Sequence, residues 1–203
     1  MSSVRKSSFF YLGFLCLPLL SNSSCAIDSG VDALSNGLYV HRESKSYVRI
    51  PPGWVITEPY RLRPTNPTSV IILNRDEPKV SASILWSPLG KKNWKDVIRA
   101  DADDDLGEEY SILTLVYGKG KVSRPTTLDL GTNHVYKVMI EDGPDRDGKT
   151  AGALYLFEAG QGENRWKVKI RANFPNINRE EYTKTIEDMI KQFGNLDQKP
   201  LEK

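Results

Sequence analysis

Cysteine is nearly missing from this 203-residue chain, and its two copies, Cys16 and Cys25, both lie within the first 26 residues. Everything after them therefore has no disulfide, no thiol nucleophile and no zinc–thiolate site. Histidine is almost as scarce, with only His41 and His134. The pattern H-E-x-x-H is absent, and so is the G-x-S-x-G of a nucleophile elbow. The longest apolar run falls short of the ~20 residues a membrane-spanning helix needs. An excess of one charge is also lacking. The chain carries 28 basic and 26 acidic residues, and without Arg5 and Lys6 the balance is 26 to 26. A neutral body gives no electrostatic case for nucleic acid.

What is present begins with a leader. Arg5 and Lys6 precede the apolar stretch Phe9–Leu20, and the small polar run "SNSSCAIDS" follows. This is the layout of a secretory signal, with residues 1–26 as the leader. Two endings fit. Cleavage after Ala26 puts Ser24 and Ala26 at the small-residue positions. Lipidation of Cys25 would use Ser23, Ser24 and Cys25 as a lipobox, although Asn22 stands where leucine is usual. Either way the protein is expected to be exported, to the periplasm or another extracytoplasmic space, with Cys25 as its one route to a lipid anchor.

Residues 27–36 read as a tether and 195–203 as a flexible tail, bracketing one domain over 37–194. Within it the pattern is mostly period two. "GLYVHRESKSYVRI" reads as two short strands, and "WVI", "SVIILN" and "KVSASILW" follow as further strands. A helix is expected after Asn93, with Trp94, Val97, Ile98 and Ala102 on one face. "SILTLVYG" and "GKVSRPTTLDL" read as strand material, as do "NHVYKVMIE" and "ALYLFEAG". In "RWKVKIRANF", Trp166, Val168, Ile170 and Ala172 alternate with Lys167, Lys169 and Arg171. A final helix is expected with Asn178 as its cap and Tyr182, Ile186, Met189, Ile190 and Phe193 on its apolar stripe. Gly194 is placed at a left-handed helix end. The inventory predicts an α+β domain built on a mainly antiparallel sheet.

Residues 143–150, "GPDRDGKT", match G-x-x-x-x-G-K-[ST] letter for letter. A phosphate cradle needs a helix directly after the glycine-rich turn, and the aromatic alternation after Lys149 predicts a returning strand. Asp145 and Asp147 would also repel a polyphosphate. The octapeptide thus reads as a charged hairpin tip, with no nucleotide expected. A calcium reading of Asp101, Asp103 and Asp105 fails where Leu106 replaces the required glycine and Ile112 the twelfth-position glutamate. The loop at Asp145 fails at the corresponding places. No cofactor, metal or catalytic residue is assigned, and the tryptophans Trp54, Trp86, Trp94 and Trp166 are read as core.

"YVRIPPGWVI" resembles the strand, Pro-x-Gly-Trp corner and next strand near the start of PsbP-like domains. "RWKVKIRANFPNINREEYTKTIEDMIKQF" resembles their ending, where an alternating strand leads through a proline to a helix closing on phenylalanine. That superfamily includes the extrinsic PsbP subunit of photosystem II, a Ran-binding nuclear-import factor and exported bacterial proteins. The resemblance implies an antiparallel sheet sandwiched by helices in an α/β/α arrangement. It implies a domain that binds partners without catalysing, with no active-site residue to carry over. It also implies that Pro52 and Gly53 end one strand while Trp54 anchors the next. The expected function is a non-catalytic cell-envelope protein that binds another, unidentified envelope protein. The alternative is a small-ligand or divalent-metal module at the acidic run near Asp103 or the loop at Asp145; the third reading is a hydrolase whose site leaves no motif.

Overall fold

The computed structural model describes residues 33–35, 37–56, 69–89, 108–141, 149–161 and 164–196. Apolar alternation lays down most of its strands. In chain order they are β1 (Ala33–Ser35), β2 (Leu38–His41), β3 (Ser46–Arg49), β4 (Trp54–Ile56), β5 (Ser69–Asn74) and β6 (Ser81–Pro88). After helix α1 (Glu108–Tyr117) come β7 (Thr126–Leu130), β8 (Asn133–Ile140), β9 (Thr150–Gln161) and β10 (Asn164–Pro175). Helix α2 (Arg179–Lys191) and the two-residue β11 (Gly194–Asn195) complete the set. β1 falls inside the stretch read as a tether and pairs with β2.

The strands form two antiparallel sheets. The larger runs β4-β5-β6-β10-β9-β8-β7, and the smaller β1-β2-β3-β11. Period two decides which face each residue meets. On β10, Trp166, Val168, Ile170, Ala172 and Phe174 are buried beside Trp86, Ile84 and Ala82 of β6. This face packs against α2, whose Tyr182, Ile186, Met189 and Ile190 are all buried, and against Tyr39 and Val48 of the small sheet. Each such side chain contributes roughly 1.5–3 kcal/mol when fully buried. On the opposite face Val138, Ile140, Leu154 and Leu156 pack under α1. The expected α+β architecture, a mainly antiparallel sheet between helices, is the one found.

Three local expectations need correction. In "SILTLVYG", Ser111 to Tyr117 belong to α1 and not to a strand, and Gly118 follows the helix. Its stripe is Tyr110, Leu113 and the partly buried Tyr117, spaced i, i+3, i+7. A window opening at Ser111 omits Tyr110, and the outward Ile112, Leu115 and Val116 then imitate strand sequence. Asn178 does occupy the N-cap position of α2, but its side chain makes no capping bond. The chain enters that helix through a 3-10 turn at Asn176–Asn178, so Asn178 lacks the extended backbone a capping side chain uses. Gly194 is not left-handed. The carbonyls of Ile190 and Phe193 accept bonds from the Asn133 side-chain amide at 3.0 and 3.1 Å, doing the work a left-handed glycine would do. Gly194 is small for another reason. A Cβ there would sit 2.5 Å from the Tyr47 hydroxyl on β3. The helix expected after Asn93 lies outside the described residues.

The cationic side of β10 is covered rather than open. Glu109 of α1 accepts from Lys169 at 3.0 Å and from Lys167 at 3.2 Å. Burial alone would push the Glu109 carboxyl up, but the two lysines outweigh it and hold it below the usual range. A carboxyl depressed in the folded state stabilises fully above its unfolded pKa, and loses that contribution as pH falls through the folded one. Glu109→Gln is expected to cost roughly 1–3 kcal/mol at neutral pH. The variant should also flatten the loss of stability below about pH 4, which urea melts across pH 3–7 would read. An unchanged acid limb would show that the lysines do not depend on Glu109.

Candidate binding cleft

The described histidines have different fates. His134 is exposed on β8, with Nδ1 2.8 Å from Asp129. His41, at the end of β2, is fully buried with Ser44 and Ser46. The β2–β3 register places His41 opposite Ser46 on the inward face of the small sheet. Its Nδ1 lies 2.7 Å from the Ser44 hydroxyl and accepts the Ser44 backbone N–H at 3.3 Å. The Ser44 and Ser46 hydroxyls are 2.6 Å apart, and Trp86 Nε1 donates to Ser46 at 3.1 Å. The Ser44 hydroxyl also lies 3.3 Å from the His41 carbonyl, to which it donates, so a single run of contacts, opened by the indole N–H donor, links Trp86, Ser46, Ser44 and His41.

A serine hydroxyl on a histidine nitrogen invites a nucleophile reading, and the surroundings oppose it. The His41 ring stacks on Trp86 at 4.7 Å and meets the edge of Trp166 at 5.1 Å. Ser44 has no exposed surface, so no substrate can approach its oxygen. The arrangement joins the small sheet to the large one.

Concave surface lies elsewhere: an open, polar hollow of about 570 Å³ at the entry to α2, lined by Asn176 and Glu181, and an apolar one at the Pro-Pro-Gly-Trp corner. Ile50 ends the first strand pair with its N–H bonded to Gly37, and Trp54 is turned back into the core by a bond from its N–H to the Pro51 carbonyl at 3.1 Å. Gly53 takes the positive φ of 79° that the turn requires. An open cleft of about 570 Å³ runs along this corner and β4, lined by Arg49 and Arg75 and by the apolar Ile50, Pro51 and Ile56. Across the prolines a second hollow of about 370 Å³ reaches Met189 and Asp188 of α2. Its hydrogen bond with Lys191, at 2.7 Å, holds the Asp188 carboxyl below the usual range.

Solved structures similar to the chain include three of different origin. The solution structure of cyanobacterial PsbP (CyanoP) from Synechocystis sp. PCC 6803 shares 10% identity, with a TM-score of 0.48, over 78% of this chain and 91% of that one. The Saccharomyces cerevisiae Ran-binding protein Mog1p shares 13%, TM-score 0.48, over 81% and 97%. A Bacteroides thetaiotaomicron VPI-5482 protein shares 14%, TM-score 0.46, over 80% of this chain but 49% of its own. The likeness is one of fold. No family model and no curated protein matches the sequence.

Of the residues singled out in the sequence, Trp54, Trp86 and Trp166 are core as expected. Cys25, the acidic run at Asp101–Asp105, Trp94 and the loop with Asp145 and Asp147 lie outside the described residues. Thr150 opens strand β9, so the strand–loop–helix order of a phosphate cradle does not occur at the octapeptide. Among the described residues no three His, Asp or Glu side chains are grouped to hold a metal ion, and no helix is long and apolar enough to cross a membrane. Arg75 was missed because its place beside the corner depends on β4 pairing with β5 across a long connection. Ser44 and Ser46 were legible in principle, since period two puts His41 and Ser46 on one face of a hairpin.

Proposed function

We propose that the chain is a non-catalytic, exported cell-envelope protein whose folded body binds another protein. The observation that carries this reading is a contrast between two polar places in the described residues. The Ser–His pair is sealed between two tryptophans, while the cleft at the Pro-Pro-Gly-Trp corner is lined, among the described residues, by apolar surface and arginines without a nucleophile or metal-ligating group. Surfaces of that composition suit recognition better than bond-breaking. Export rests on the leader at residues 1–26.

One experiment addresses both parts. The full chain is produced in a bacterial host, its processed mass is measured, and the processed protein is crosslinked to proteins of an envelope extract. The expected mass is that of cleavage after Ala26 or of lipidated Cys25, and the expected capture is one reproducible protein competed away by free domain. An unprocessed mass would refute export. Capture that free domain does not compete, together with turnover in an esterase, phosphatase or peptidase screen, would refute the binding reading.

A further inference from the structure

We propose that the Arg49–Arg75 cleft is the docking groove for an acidic, extended segment of the partner, laid alongside β4. The inference rests on the protein-binding reading and adds the place and the chemistry. β4 is the terminal strand of the larger sheet among the described residues. A terminal strand presents backbone donors and acceptors on its outer side, the template on which an extended peptide adds. The cleft along β4 has apolar lining from Ile50, Pro51 and Ile56. Alternate side chains of an added strand would find contact there.

Charge selects the occupant. Arg49 and Arg75 are both exposed and both line the groove, and among the described residues no carboxylate lines it. The planar guanidinium fork matches a carboxylate in two-point geometry, which favours Asp and Glu on the incoming segment. The nearest acidic group across the prolines, Asp188, is already engaged by Lys191. A nucleic acid would need a basic surface of far greater reach than two arginines on a neutral body. Pro51 and Pro52 fix the groove wall in advance, so little ordering is left for the binding step.

The test uses fluorescence anisotropy with the full chain and three labelled probes. These are an acetylated nonapeptide alternating glutamate and valine, the same peptide with lysine for glutamate, and a short single-stranded oligonucleotide. The glutamate peptide should bind with a Kd below about 1 mM and weaken with added salt. Arg49→Glu and Arg75→Glu should each weaken it about tenfold, with the melting temperature unchanged because both side chains are exposed. Equal binding of the lysine peptide, tighter binding of the oligonucleotide, or indifference to both substitutions would overturn the proposal. If the crosslinked protein is captured equally by wild type and both variants, the cleft is refuted while the binding function stands.

Discussion

Replacing Trp86 with alanine is expected to remove about 3–5 kcal/mol of stability, a large share of the ~5–15 kcal/mol a domain has. Its indole is fully buried, stacked on His41 and tilted against Tyr39 and Phe193. It also supplies the donor that starts the run through Ser46 and Ser44 to His41. Removing the ring opens a cavity where the two sheets and the end of α2 meet. Ser46→Ala should cost less, about 1–3 kcal/mol, since it leaves the indole N–H without an acceptor inside the core. Combining Ser46→Ala with Trp86→Phe should cost less than the two singly, because the donor then disappears along with its acceptor. Urea melts of the four proteins give the coupling, expected at about 0.5 kcal/mol or more. Strict additivity would mean that the hydrogen bond contributes nothing.

The second large effect is expected at Gly160, where β9 turns toward β10. Its φ is +87°, and a methyl group built there runs into the Asn164 carbonyl. Left-handed backbone alone costs a non-glycine residue about 1–2 kcal/mol, so Gly160→Ala should lose more than about 2 kcal/mol once the overlap is added. The position also has long-range duties. Its N–H donates to the Asn195 side chain at 3.0 Å, and Asn164 beside it donates to the Glu43 carbonyl at 3.0 Å. The hairpin end thus fastens both β11 and the β2–β3 turn of the small sheet. Gly120→Ala is the matched control, with open space around its Cβ and no positive φ. It should stay within about 0.5 kcal/mol of wild type. Similar losses at the two glycines in thermal or chemical melts would refute the argument.

Where burial follows a local period, the chain could be read directly. β10 is the clearest case, since Val168, Ile170 and Ala172 announce a buried face by simple alternation. The stripe Tyr182, Ile186, Met189 and Ile190 does the same for α2. Legibility failed where a contact joins distant residues. Nothing in "SILTLVYG" says that its apolar residues divide between a sheet-packed stripe and an exposed face. Likewise nothing near Gly194 says that Tyr47 will lie over it. The Pro-Pro-Gly-Trp corner drew attention as a fold signature, and its role as the wall of a cleft appears only when Arg75 is brought beside it by the β4–β5 pairing.

The pairing of β11 with β3 sets a condition on the order in which this protein can be completed. Tyr47 and Ser46 lie near the head of the domain, whereas their partners Gly194 and Asn195 follow α2, far along the chain. The outer edge of β3 is therefore completed only when strands from opposite ends of the domain meet. Closing so long a loop is a late, entropically costly event. Until it closes, that edge offers its backbone N–H and C=O groups to a strand of another chain.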